Sequence, residues 1–221
     1  MQIELTARDG HRFSAYRTGP KDAARGLVVV QEIFGVNGHM RHVSDHFGAL
    51  GYAVVCPALF DRAERGVELG YAKEDVQRGL ALRSRIPEEG VLADIQAAAD
   101  ALPAGARRGI VGYCWGGTIA WWGATRMNGF SAAVGYYGGG IAASREAVPN
   151  CPVQLHFGAE DHGIPLTDVA AIRAAQPGIE VYVYPGAGHG FACEERASFS
   201  APNASVAAER TRIFLDKAMH A

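Results

Sequence analysis

The chain has 221 residues, with 21 Lys+Arg against 23 Asp+Glu, a formal charge of −2 and 48% hydrophobic residues. This excludes a disordered chain and leaves ample material for a core, and near-neutral charge gives no general attraction to nucleic acid or anionic lipid. The four Cys are too few and too scattered for a disulfide scaffold, and the 28 Gly point to many tight turns. No basic stretch followed by an apolar core opens the chain, and no apolar run approaches about 20 residues. A cytoplasmic location with reduced thiols is therefore expected, with no membrane partner.

Gln2–Thr6 and Arg12–Arg17 alternate in polarity and predict an antiparallel hairpin at a sheet edge. Leu27–Gln31 is a short β-branched run, as a buried strand should be. His39–Leu50 carries Met40, Val43, Phe47 and Leu50 at helical spacing and stops at Gly51. Tyr52–Val55 predicts a strand, 73–85 an exposed Arg-rich helix, and Val91–Leu102 an Ala-rich helix ending before Pro103. Gly109–Tyr113, Ala132–Tyr137, Pro152–Phe157 and Glu180–Tyr184 read as further strands. Thr118–Met127, Pro165–Ala175 and Ser205–Met219 read as helices. Steady alternation predicts right-handed βαβ units: an α/β fold with a mostly parallel sheet and helices on both faces. No linker or repeat interrupts it, so one domain over 1–221 is expected. In such sheets the chemistry sits at the carboxyl ends of strands.

One of those ends reads Gly112-Tyr113-Cys114-Trp115-Gly116-Gly117 and runs into a helix. This is the G-x-S-x-G nucleophile elbow with Cys in place of Ser. A strand that turns sharply into a helix strains the tip and crowds the positions two before and two after it, so both lack a Cβ. A helix N-terminus behind the tip favours a thiolate and negative charge on an attacked carbonyl. Acid and base then follow in the order this elbow requires. Gly158-Ala159-Glu160-Asp161-His162-Gly163 lies after one strand and Gly186-Ala187-Gly188-His189-Gly190-Phe191 after the next. His189 is the candidate base for Cys114, and Asp161 the group that orients the imidazole.

These motifs resemble the dienelactone hydrolases (carboxymethylenebutenolidases) of the α/β-hydrolase fold, from about Asp9 to Asp216. The other signatures are Gln31-Glu32-Ile33-Phe34-Gly35-Val36-Asn37, Ala133-Val134-Gly135-Tyr136-Tyr137-Gly138 and Ala187-Gly188-His189-Gly190-Phe191. The resemblance implies a Cys114–His189–Asp161 triad working through a thiol-acyl intermediate, with no metal or organic cofactor. It implies that Glu32 helps generate the thiolate, that backbone N–H groups of Ile33 and Trp115 form the oxyanion hole, and that Phe34 and Tyr136 line the pocket. The substrate it implies is a small lactone or ester, and the protein a monomer or small homo-oligomer. In the family two Arg residues hold a substrate carboxylate. Arg78 matches one. Four residues after His189 this chain has Cys193, and Arg196 is the candidate substitute. It also has Ala58 where the family usually has Asp. These departures leave open a neutral ester or amide as substrate, and a non-catalytic binding protein on the same scaffold is the remaining alternative.

Plainer readings apply elsewhere. Cys56 and Cys151, each beside a Pro, read as small hydrophobes, and Cys193 as inert. Glu160 and Asp168 suit a solvated loop and a helix face. His162 reads as a surface residue and His156 as a core histidine. His39, His42 and His46 share a helical spacing that could bind metal, but a solvated face is the simpler reading. Trp121 and Trp122 read as core.

Overall fold

A computed structural model describes residues 1–220. Among the described residues there are eight strands and six α-helices, with 3₁₀ turns at Leu59–Arg62 and Ala142–Ser144. The described residues divide into two compact units, one from Met1 to Ile110 and one from Val111 onward. No helix of the described residues is long and apolar enough to cross a membrane.

In the first unit β1 (Gln2–Thr6) and β2 (Arg12–Thr18) form the predicted antiparallel hairpin. β2 also pairs antiparallel with β4 (Ala53–Pro57), and β4 pairs parallel with β3 (Arg25–Val30). Leu27 to Val30 are wholly buried, which explains their unbroken apolar run. Helix α1 (Gly38–Ala49) starts where the Asn37 side chain accepts from the Met40 N–H at 3.2 Å, and it ends before Gly51 at φ +89°. Helices α2 (Lys73–Arg83) and α3 (Glu88–Asp100) follow, the latter after Pro87. On β2, Phe13 packs with Ala93 of α3, whereas the Tyr16 hydroxyl donates to Asp45 of α1 at 2.9 Å. Residues an odd number apart on a strand face opposite ways, so α1 and α3 cover opposite faces.

The second unit opens within β5 (Arg107–Tyr113) and continues through β6 (Ala132–Tyr136), β7 (Val153–Gly158) and β8 (Glu180–Tyr184), in that spatial order. β6 with β7 and β7 with β8 are parallel. The helices are α4 (Trp115–Arg126), α5 (Leu166–Ala175) and α6 (Ala201–Ala218). Gly135 abuts the Gly117 carbonyl of α4, while the next residue, Tyr136, hydrogen-bonds Thr211 of α6 at 2.7 Å. The same alternation puts α4 and α6 on opposite faces. Trp121 and Trp122 are core, as read from the sequence. Helix α4 begins three residues earlier than its apolar periodicity suggests. Gly116 and Gly117 look like turn residues, yet both are helical, and at 117 a close backbone approach leaves room only for glycine. A Cβ on Gly117 would lie 2.4 Å from the Tyr136 carbonyl oxygen.

Candidate active site

The elbow forms because β5 and α4 meet without an intervening loop. Cys114 sits between them at φ +54° and ψ −115°, in the left-handed half of φ/ψ space that an L-residue occupies only under strain. Its N–H donates to the Tyr136 carbonyl at 3.0 Å, tying the tip to the end of β6. Its own carbonyl accepts from Gly117 at 3.0 Å, closing the first turn of α4. The glycine requirement is steric: a Cβ on Gly112 would lie 1.9 Å from the Gly116 oxygen.

His189 follows β8 in a loop bent by Gly186 (φ +68°) and Gly190 (φ +77°). Asp161 follows β7, and the two loops are sewn together. The Glu160 N–H donates to the Ala187 carbonyl at 2.9 Å, and a Cβ on Gly158 would strike that carbonyl oxygen at 2.3 Å. The result is one hydrogen-bonded chain. His189 Nε2 lies 3.2 Å from Cys114 Sγ, and Nδ1 lies 2.7 Å from Asp161 Oδ2. A carboxylate only accepts, so Nδ1 donates and Nε2 faces the sulfur. The other oxygen of Asp161 accepts from the Gly163 N–H at 2.9 Å, leaving the buried carboxylate satisfied on both sides. Glu160 and His162 are exposed, and Asp168 lies in the first turn of α5.

Burial pulls the His189 pKa down. The hydrogen bond to Asp161, then the hydrogen bond and charge of Cys114, outweigh it and carry the pKa up to about 10. Elsewhere burial pushes the thiols of Cys56 and Cys151 up to about 12 and about 11, which suits their reading as small hydrophobes.

The other predicted residues sit as follows. Trp115 is buried as the first residue of α4. Glu32, Ile33 and Phe34 are buried in the loop after β3 of the first unit, with the Phe34 ring 4.6 Å from that of Tyr71. Helix α2 presses on this loop through Gly79, where a Cβ would lie 2.0 Å from the Ile33 oxygen. Arg78 projects into solvent and pairs with Glu64 at 2.6 Å. Arg196 lays its guanidinium over Gly190, where a Cβ would lie 2.6 Å from Nη1, and this places it next to His189 in the chain. Cys193 is wholly buried. Tyr136 is stacked between Tyr113 and His156, at 4.7 and 4.4 Å, with its hydroxyl on Thr211. The tyrosine beside His189 is its neighbour Tyr137, 5.1 Å away between ring centroids. Sequence reasoning did not single it out. His156 is a satisfied core histidine, held by Tyr184, Gln154 and Thr211. His39 is buried while His42 and His46 are exposed, so the three do not share one environment.

Comparison with known proteins agrees with the motifs. The Dienelactone hydrolase family profile matches residues 13–219. A carboxymethylenebutenolidase of Pseudomonas putida is 35% identical over 96% of this chain and 94% of its own. A putative carboxymethylenebutenolidase of Synechocystis sp. is 33% identical over 84% and 83%. The crystal structure of a putative dienelactone hydrolase from Klebsiella pneumoniae superposes with a TM-score of 0.80 at 31% identity, covering 97% of this chain and 98% of that one. An esterase of Pyrococcus furiosus, 15% identical, shares the fold with a TM-score of 0.72. With a match over nearly its whole length, the chain is a hydrolase that belongs to the dienelactone hydrolase family and has the α/β-hydrolase fold.

Proposed function

We propose that the protein hydrolyses a small carboxylic ester or lactone through a thioester on Cys114. The observation that carries this reading is the chain Cys114 Sγ–His189–Asp161, with sulfur at the tip of a strained elbow. His189 Nε2 takes the thiol proton, and the thiolate attacks the ester carbon to give a tetrahedral oxyanion. The Trp115 N–H is the first of α4 and lies at the positive end of the helix, which favours that charge. Collapse breaks the C–O bond, and the leaving alkoxide takes the proton from Nε2. Water then enters, gives its proton to Nε2 and attacks the thioester; the second collapse releases the acid and returns the thiol. Asp161 fixes the Nδ1–H tautomer and balances the imidazolium. The roles of Glu32 in thiolate formation and of Ile33 in the oxyanion hole rest on the sequence signature. A thiol nucleophile suits the reducing cytoplasm.

Cys114→Ala should reduce kcat/KM on a p-nitrophenyl ester by on the order of 10³-fold or more while leaving the circular dichroism spectrum intact. Wild-type turnover in that variant would refute the mechanism. A neutral ester is a second reading of the substrate, favoured by the engagement of Arg78 with Glu64 and the burial of Cys193. Comparing kcat/KM for a carboxylated lactone and its neutral analogue decides between them, because a two-Arg clamp favours the anion strongly.

A further inference from the structure

Among the described residues two non-glycine residues have positive φ, Cys114 and Tyr137, and both belong to this site. Tyr137, at φ +38°, is wholly buried at the end of β6. Its N–H donates to the His156 carbonyl at 2.7 Å, which holds the backbone in this conformation. An unstrained chain would follow the strand outward. Instead the Tyr137 ring turns beneath the His189 loop, 5.1 Å from the imidazole with an interplanar angle of 59°. Phe191 braces it edge-on at 5.6 Å, and Tyr113 and Tyr136 lie 6.3 and 6.1 Å away. A rare backbone conformation maintained at the contact with a proposed catalytic base points to a task for that contact.

We infer that Tyr137 is a positioning residue for His189, its ring fixing the imidazole plane between Cys114 and Asp161 and stabilising its protonated form. The inference rests on the triad reading and adds a fourth member to it. The two hydrogen bonds of His189 fix its in-plane direction, but rotation about their common axis is limited only by packing. The tilted Tyr137 ring supplies that limit. A π-system within about 6 Å also attracts a cation, most of all where water is excluded. Asp161 and Cys114 lie against the imidazole, and the Arg196 guanidinium lies over the adjacent Gly190. Only the first two hydrogen-bond the imidazole, so the ring contributes a separate, non-hydrogen-bonding restraint.

The test follows ester turnover and the rate of Cys114 alkylation by iodoacetamide against pH. Tyr137→Phe keeps the ring and should keep the alkaline limb at its wild-type position. Tyr137→Leu should lose about tenfold in kcat with KM nearly unchanged, and the alkaline limb of both profiles should fall by about one pH unit. A structural role alone would lower Tm without moving that limb. If the Leu variant does not fold, phenylalanines carrying one to three ring fluorines at position 137 keep the shape and weaken the π face in steps. The limb should then fall in steps. His189→Ala is the parallel control. If it leaves the wild-type alkylation profile unchanged, the triad reading itself fails. If it changes the profile but the Leu and fluorinated series do not, the role of Tyr137 is refuted and the triad stands.

Discussion

The strain at Cys114 yields a prediction in which function and stability part company. Cys114→Ala and Cys114→Gly both remove the thiol, so both should be inactive, and differences in sulfur contacts cancel between them. What remains is the Cβ at φ +54°, ψ −115°. Relieving a conformation of this kind is worth about 1–3 kcal/mol. Glycine also serves better than alanine at the position that caps a helix N-terminus, and Cys114 holds that position on α4. Against this, glycine loses about 0.4–1 kcal/mol more entropy on folding. The balance favours Cys114→Gly over Cys114→Ala by about 1 kcal/mol. For a chain of this length that is about 2–4 °C in Tm. Thermal scans and urea titrations of the two variants at neutral pH measure it. If Cys114→Gly proves less stable than Cys114→Ala, the elbow is not strained by its side chain and the argument from backbone geometry fails.

Other expectations follow from the same geometry. Asp161→Asn replaces an acceptor that fixes the Nδ1–H tautomer, so kcat should drop on the order of 10²–10⁴-fold with little change in KM, measured on the same chromogenic ester; a drop below threefold would contradict the orienting role. The raised pKa of His189 stabilises the folded state fully below about pH 6.5, and that contribution disappears as pH rises through about 10. The Tm of wild type should therefore fall relative to His189→Gln between pH 7 and 10, and parallel curves would contradict the shift. His156 behaves oppositely. Burial, aided by the Arg210 charge, pushes it down to about 3, so its contribution is present above about pH 6.5 and is lost as pH falls toward 3. Wild type should lose Tm more steeply than His156→Gln over that acid range; equal slopes would show that His156 is not held neutral. Gly79→Ala would push a Cβ into the Ile33 carbonyl, lowering Tm by several degrees, with a variant as stable as wild type ruling out the close approach.

Much of this was legible in the sequence because packing and local chemistry agree. Leu27–Val30 reads as a buried strand and is one, and the hairpin alternation of Gln2–Thr6 matches its edge position. The loops bearing Cys114, Asp161 and His189 announce themselves by glycines that the close approaches require. What stayed hidden was decided by contacts distant in sequence. Tyr136 and Tyr137 are chemically alike neighbours, and only the turn to φ +38° at Tyr137 puts one ring on the α6 face and the other beside His189. Helical spacing groups His39, His42 and His46, but packing buries only the first. Arg78 is recognisable as a basic helix residue, yet nothing in its neighbourhood along the chain reveals its pairing with Glu64, 14 residues away. The short 3₁₀ turns carry no periodicity long enough to read.

The most direct test of the central claim is to mix the enzyme with excess chromogenic ester, quench in acid within milliseconds, and locate the acyl group by peptide mass spectrometry. The account predicts a single acyl group on the peptide containing Cys114, formed at the rate of the first product burst and absent in Cys114→Ala. Ester turnover without that adduct, or an acyl group on another residue, would contradict it.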